Sequence, residues 1–395
     1  MADIKTIDDA DFGGKRVLVR VDFNAPVNDA GVVTDDTRIR AALPTIEKLI
    51  ADGARVILVS HRGRPAGTGF EEAFSLGPVA RRLQELLGRD IVLSRAIVGP
   101  EAAEAVDALE DGDVLLLENI RFDAREKKND PAFARELADL ADAYVNDAFG
   151  TAHRAHASTA GVAEFLPSYA GYLMEREVAT LTGMLDEPKR PFVAILGGSK
   201  VSDKIKVIDA LLEKADTLII GGGMCFTFLL AQGKSVGTSL KEEDWVERAA
   251  AMIEKARERG VSLLLPVDVV AADAFTNDAR TEIVSVDDMP ADMMGLDIGP
   301  ETAELYAEAI GMAKSVFWNG PMGVFEMPAF EAGTKRVAEA VAANAEADTI
   351  IGGGDSVAAV NQFDLADRMT FISTGGGASM ELVQGEALPG VEALK

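Results

Sequence analysis

Short apolar runs recur along the chain. Each ends in Gly, Asn, Asp or His, and each is followed by a stretch with helical spacing. In the first half they are R-V-L-V-R-V-D-F-N at 16–24, R-V-I-L-V-S-H at 55–61, D-V-L-L-L-E-N at 113–119 and A-Y-V-N-D-A-F-G at 143–150. The runs are continuously apolar rather than alternating, the pattern of strands buried on both faces. Amphipathic stretches such as 75–88 and 131–141 lie between them. Strand and helix in alternation predict a parallel α/β sheet. The second half repeats the scheme at 192–198, 217–223, 261–268, 315–321, 349–355 and 370–377, enough runs for a second doubly wound sheet. The halves share architecture without sharing motifs.

The joint between them falls in 166–191. Pro167 opens this stretch, Pro188 and Pro191 close it, and Leu173, Val178, Leu181 and Leu185 recur near helical spacing. A helical hinge is expected there rather than a loose tether. The fold class is therefore α/β: two doubly wound, Rossmann-like parallel-sheet lobes, 1–165 and 192–377, joined by a helix. Parallel sheets bind ligands at the carboxyl ends of their strands, so the residues at those ends carry the functional question.

Charge narrows the answer. The chain has 395 residues, and 39 basic against 65 acidic side chains leave a net charge of −26. Phosphate backbones and anionic membranes repel such a surface, which excludes nucleic acid and membrane as partners. A small anion remains possible through a local basic pocket. The one cysteine, Cys225, allows no intrachain disulfide, which fits the cytoplasm, although a cysteine-poor secreted protein would look the same. Residues 1–5 carry no apolar leader, and no apolar run is long enough to span a membrane. With histidine only at 61, 153 and 156, a histidine-rich metal site is excluded by count.

In the first half, Asp22 and Asn24 end one strand, and His61, Arg62 and Arg64 follow another. Arg121 follows a third, Arg154 a fourth, and Arg38 follows a turn in which Asp35 or Thr37 caps a helix. One such arginine is ordinarily a surface ion pair. Arg38, Arg64, Arg121 and Arg154 on one rim instead form a set of forks for carboxylate and phosphate. His61 either donates to an anion or orients a neighbour. His153 and His156 have the spacing H-x-x-H but no third ligand, a poor zinc signature.

In the second half, Gly197-Gly198, Gly221-Gly222-Gly223, Gly352-Gly353-Gly354 and Gly375-Gly376-Gly377 follow buried runs. One cluster is a tight turn; four on one sheet favour a nucleotide whose phosphates meet backbone amides. Neither G-x-x-x-x-G-K-[ST] nor G-x-G-x-x-G occurs. G-G-S-K-V-S-D-K-I at 197–205 places Lys200 and Lys204 on the first turns of an expected helix, either solvated or against polyphosphate. Asp355 within G-G-G-D-S at 352–356 would repel phosphate unless Mg²⁺ lay between them.

These motifs together resemble the phosphoglycerate kinase family over essentially the full length. The resemblance rests on R-V-D-F-N at 20–24, H-R-G-R-P at 61–65, L-L-E-N-I-R-F at 116–122 and D-A-F-G-T-A-H-R-A-H-A-S-T at 147–159. It continues in G-G-S-K-V-S-D-K-I at 197–205, W-N-G-P-M-G-V-F-E at 318–326, G-G-G-D-S at 352–356 and S-T-G-G-G-A-S at 373–379. It implies phosphoryl transfer between 1,3-bisphosphoglycerate and ADP with Mg²⁺, in a cytoplasmic monomer acting on small molecules. It assigns the triose to Asp22, Phe23, Asn24, Arg38, His61, Arg62, Gly63, Arg64, Arg121 and Arg154. It assigns the nucleotide to Gly197, Lys204, Gly221, Gly295, Asn319, Pro321, Glu326, Gly353, Gly354, Asp355 and Ser356, with Asp355 holding the metal. Arg38, Lys200 and the amides at Gly354 and Gly377 stabilise the phosphoryl group in flight. Residues 378–395 return to the first lobe, and the lobes close about 166–191. Arg62, Ser199, Cys225 and Ser356 depart from the usual family residues without removing a chemical role. Two other readings stay open here: another ATP-dependent kinase of small phosphorylated acids, and a non-catalytic sensor of phosphometabolites.

Overall fold

A computed structural model of the chain describes residues 4–395. Met1–Asp3, which open the N-terminal stretch considered above, lie outside the described residues. The chain divides into two compact units, one of residues 1–180 and 387–395, the other of residues 181–386.

The first unit is built on β1 (Arg16–Val21), β2 (Arg55–Val59), β3 (Val92–Ser94), β4 (Val114–Leu117), β5 (Ala143–Asp147) and β6 (Ser168–Ala170). They form one parallel sheet in the order β3-β4-β2-β1-β5-β6. The four apolar runs fall on β1, β2, β4 and β5. The short edge strands β3 and β6 carry no such run, because an edge strand is only partly covered. Amphipathic helices Thr37–Ala51 and Gly77–Leu87 pack on the core around Val17, Val19, Ile46 and Leu83. The Asp35 carboxylate accepts the Thr37 amide at 2.9 Å at the start of the first of these. Polar residues break the apolar rule at Asn146 and Asp147 in β5 and, most sharply, at Arg20 inside β1, each fully buried.

The second unit contains β7 (Phe192–Leu196), β8 (Thr217–Ile220), β9 (Ser262–Leu264), β10 (Asp268–Ala272), β11 (Thr281–Ser285), β12 (Met294–Ile298), β13 (Ser315–Asn319), β14 (Asp348–Gly352) and β15 (Phe371–Ile372). Six of them form a parallel sheet, β15-β14-β13-β7-β8-β9, and the rest an antiparallel sheet, β11-β10-β12. The run read as one strand at 261–268 is in fact two. β9 stops before Pro266, whose missing N–H cannot continue a ladder, and β10 starts in the other sheet. In the antiparallel sheet β11 is largely exposed and carries no continuous apolar run.

A helix, Tyr172–Asp186, runs across the division at Thr180–Leu181. Its buried stripe is Met174, Glu177, Val178, Leu181, Met184 and Leu185, so Leu173 is not among its buried positions. Of the stretch 378–395, residues 387–395 fall in the first unit, and 378–386 stay in the second with the helix Gly377–Val383.

The C-terminal residues are anchored by Leu388, Val391 and Leu394, all buried, and by a hydrogen bond from the Gly390 amide to the Ala152 carbonyl at 2.8 Å. Burying side chains of this kind is worth about 1.5–3 kcal/mol each. Removal of 387–395 is expected to lower stability by roughly 5 kcal/mol, read from urea unfolding; an unchanged midpoint would show the segment to be passive.

Candidate active site

In the first sheet the chain builds outward from β1 through β2, then returns to place β5 on the other side. The carboxyl ends of β1 and β5 therefore flank the crevice where a doubly wound sheet accepts ligands. Asp22, one residue past β1, is buried and pairs with Arg38 Nη1 at 2.7 Å. The Asn24 side-chain oxygen accepts the Gly63 amide at 2.8 Å, and Arg121 Nη1 donates to the Gly63 carbonyl, also at 2.8 Å. Gly63 needs its freedom: φ is +62°, and a Cβ there would strike the Phe74 ring. Past β2, His61 is buried with Nδ1 3.0 Å from Arg20 Nη2. Past β5, exposed Arg154 donates from Nε to His153 Nε2 at 3.1 Å.

Cations crowd here. Burial, then Arg20 and Arg154, lower Arg121 to about 10. Burial, then Arg121, Arg20 and Arg154, push His156 down to about 4. Burial and Arg20 hold His61 well below the usual histidine range, and burial and Arg154 lower His153. The carboxylates facing this cluster are Asp22 and the buried Glu126. Arg20, Arg38, Arg121 and Arg154 outnumber these carboxylates.

Most of the residues expected at this site converge, with three qualifications. The Arg62 guanidinium is spent on the Ala73 carbonyl at 2.6 Å, where it braces a loop rather than the crevice. The Phe23 side chain is fully buried in the core and only its backbone faces the strand end. Arg64 is exposed and makes no hydrogen bond or ion pair among the described residues. Sequence reasoning missed Arg20 and Glu126. The signal for Arg20 was a charge inside an otherwise apolar strand.

In the second sheet the corresponding crevice lies between β7 and β13, the central neighbours. Here backbone meets backbone. The Gly197 amide donates to the Asn319 carbonyl at 2.9 Å, and a Cβ on Gly197 would collide with the Gly320 and Pro321 carbonyls. Gly222, at φ +65°, packs as closely on Gly198. Gly221 lines neither cavity described next and instead lies against Met322.

One cavity of about 360 Å³ gathers Gly197, Lys200, Lys204, Asn319, Gly353, Gly354, Asp355, Ser356 and Gly377. Both lysines precede the helix Ile205–Leu211 instead of lying within it, because residues 198–204 are used in a glycine-led turn. Lys204 Nζ donates to Asn319 Oδ1, and Asn319 Nδ2 donates to the Gly352 carbonyl at 2.9 Å, so Asn319 aims the lysine. Burial lowers the Lys204 pKa. Ser356 is fully buried and its hydroxyl accepts the Gly320 amide at 2.5 Å. Gly353, at φ +90°, precedes the helix Gly354–Gln362, whose free amides and dipole favour phosphate.

A second cavity, about 530 Å³, shares Gly198, Ser199 and Asp355 with the first. Gly295, Pro321 and Glu326 line it together with Phe226, Leu240, Phe275, Met322 and Val324. Phe275 and Leu240 are exposed at 61% and 50%, unusual for large apolar groups unless a ligand covers them. This apolar wall was not foreseen, since it depends on the antiparallel sheet. Polyphosphate space opening into an apolar, base-sized cleft defines a nucleotide-using phosphotransferase.

Comparison with known proteins agrees. Residues 7–386 match the family described as phosphoglycerate kinase. A phosphoglycerate kinase of Herpetosiphon aurantiacus is 59% identical over 99% of this chain and 98% of its own length. The solved phosphoglycerate kinase of Coxiella burnetii superposes with a TM-score of 0.91 at 44% identity, and that of Pyrococcus horikoshii with 0.85 at 34%. Each comparison covers 99% of this chain and 98% of the other. The chain belongs to the phosphoglycerate kinase family. It is an enzyme, a phosphotransferase of glycolysis. No helix among the described residues is long and apolar enough to cross a membrane.

Burial and then the neighbouring arginines hold His156 and His153 down; an anion in the first crevice offsets the arginine part, so both pKa values rise on binding. With His156 near 4 when empty, binding of sulfate is expected to take up protons and to tighten as pH falls from about 6.5 towards 4. Calorimetry in buffers of different ionisation enthalpy reads the uptake directly. His156→Gln should remove most of it; sulfate binding without proton uptake would contradict this electrostatic account.

Proposed function

We propose that the chain catalyses 1,3-bisphosphoglycerate + ADP ⇌ 3-phosphoglycerate + ATP, with the triose on the first unit and the nucleotide on the second. The observation that carries this reading is the under-neutralised guanidinium cluster at the β1 and β5 ends, which calls for a small ligand with more than one negative charge. Arg38, Arg121 and Arg154, with exposed Arg64, bind the triose phosphate and carboxyl. His61 and Asn24 orient it, and Asp22 holds Arg38. In the second unit the apolar cleft takes the base, Glu326 the ribose, and Lys204 with the Gly353–Gly354 amides the phosphates. Lys200, exposed and without a hydrogen bond among the described residues, is free to meet the group in transfer, together with Arg38 and the amides at Gly354 and Gly377.

Mg²⁺ fits Asp355. No cluster of three or more His, Cys, Asp or Glu among the described residues could hold a metal alone. Mg²⁺ is commonly held by one carboxylate plus substrate phosphates, and Asp355 is an exposed carboxylate where the two cavities meet. When bound, the ion neutralises phosphate charge. We also propose a cytoplasmic monomer, supported by the single, buried Cys225 and the acidic composition.

In the ATP-forming direction the nucleophile is a phosphate oxygen of ADP; in reverse it is a carboxylate. Neither needs a general base, so charge stabilisation carries the catalysis. Arg38→Ala and Lys200→Ala are expected to lower kcat by about 10²–10³ while changing ligand dissociation constants far less, measured in a coupled assay with 3-phosphoglycerate, ATP and Mg²⁺. Weakened binding with normal turnover would remove both from the transfer step, and a wild-type chain inactive in that assay would sink the whole reading.

Ligands assigned to different units must be brought together for transfer. We assign that closure to 166–191, and it also keeps water from the acyl phosphate. Small-angle X-ray scattering with both ligands is expected to show compaction relative to either alone; an identical radius of gyration in all states would rule closure out.

A further inference from the structure

Beneath the triose crevice runs a buried chain of hydrogen bonds that touches no substrate. Arg20, Ser158 and Glu126 are each 0% exposed. Arg20 Nε donates to Ser158 Oγ at 2.9 Å, and Ser158 Oγ donates to Glu126 Oε1 at 2.6 Å. The other oxygen, Glu126 Oε2, accepts the Ser158 amide at 2.9 Å. The Tyr144 hydroxyl fixes the Ser158 carbonyl from the far side at 2.8 Å. Every bond runs in one direction, from guanidinium through hydroxyl to carboxylate. The serine has one proton to give, and it is given to Glu126, so its oxygen is free to accept from Arg20.

The same guanidinium turns a second edge to His61, with Nη2 3.0 Å from Nδ1. Arginine has donors only, so Nδ1 must be the acceptor and the ring proton must sit on Nε2. Nε2 has no hydrogen-bond partner among the described residues and is not among the buried unpartnered atoms, so it reaches solvent. A neutral imidazole with a defined donor thus faces the space where the triose anion lies.

We infer that Glu126, Ser158 and Arg20 act as positioning residues that lock His61 in its Nε2–H tautomer as a neutral hydrogen-bond donor to the triose. The inference rests on the triose assignment above and adds what sets the donor. A neutral donor suits this place. A fifth formal charge beside Arg20, Arg38, Arg121 and Arg154 would add repulsion, whereas a fixed N–H gives direction at no such cost. A free imidazole divides its proton between two nitrogens, and a donor of undefined tautomer loses part of its binding.

The test uses Ser158→Ala, which removes the relay, and Arg20→Lys, which keeps the charge but loses the two-sided fork. Ser158→Thr restores the hydroxyl. Long-range ¹H–¹⁵N spectra should show His61 as the Nε2–H form in the wild type and in Ser158→Thr, and a tautomer mixture in the other two. The KM for 3-phosphoglycerate is expected to rise roughly tenfold, the usual scale for one misdirected hydrogen bond to an anion. The KM for ATP and the kcat at saturation should stay within about twofold, since neither the nucleotide site nor the group in transfer is touched. A purely structural role would lower the melting temperature but leave the tautomer and the triose KM unchanged, and that result in either folded variant overturns the inference. Failure of the triose assignment itself is separate: the wild-type chain would then not turn over 3-phosphoglycerate.

Discussion

The structure of the first unit depends on holding more guanidinium charge at one sheet edge than its carboxylates neutralise. Burying a cation is costly unless it is paired and hydrogen-bonded. The chain manages this unevenly. Arg20 is fully buried, with the Ser158 hydroxyl, the Val21 carbonyl and His61 Nδ1 as partners. Arg38 is 41% exposed and leans on a single carboxylate, Asp22. Arg121 leaves its Nε buried without a partner. The cost rises towards the crevice, where a multiply charged anion would relieve it. Burial, with the same field behind it, lowers the pKa of all three histidines, so the positive charge at this edge resides on arginine, which does not titrate near neutrality.

The second unit meets phosphate by the opposite means. Between β7 and β13 the main chains approach so closely that side chains are excluded at Gly197, Gly222 and Gly320. The result is a floor of peptide groups with few fixed charges. Lys204 is there only because Asn319 holds it, and it lies half-buried at the start of a helix, where its charge is least welcome. Amides donate to phosphate without demanding that an unliganded site store repulsion. The two units therefore divide the task of binding anions between charge and geometry.

Much of this was legible in the sequence, and what was not had physical causes. Buried central strands announce themselves as unbroken apolar runs, so β1, β2, β4, β5, β7, β8, β13 and β14 could be read directly. β3 and β6 could not, since two-sided burial is absent at an edge. The antiparallel sheet stayed hidden because β11 is largely exposed and β10 follows β9 within one apolar run, and with it went the apolar cleft of Phe226, Phe275 and Val324. Site residues at strand ends were legible because topology fixes where strand ends lie. Orientation was not: nothing in H-R-G-R-P tells Arg62, turned to the Ala73 carbonyl, from Arg64, turned to solvent. Nor could the composition reveal that Arg20, within β1, supports the site from below.

Strongly perturbed acids usually point to catalysis, and here they do not. Burial pushes Asp147 up to about 7 and Asp297 up to about 8. Yet Asp147 accepts the Leu173 and Met174 amides at the start of the helix Tyr172–Asp186. Asp297 accepts the Ile298 and Gly333 amides, joining β12 to the helix Ala332–Ala343. Both are fastened to main chain, and neither holds a proton where a reacting oxygen would need one. The groups assigned to the phosphoryl group in transfer are guanidinium, ammonium and amide. Such a set can neutralise charge and fix direction but has no base to offer. Transfer of a phosphoryl group between two oxygens that are already ionised is a reaction that asks for nothing else.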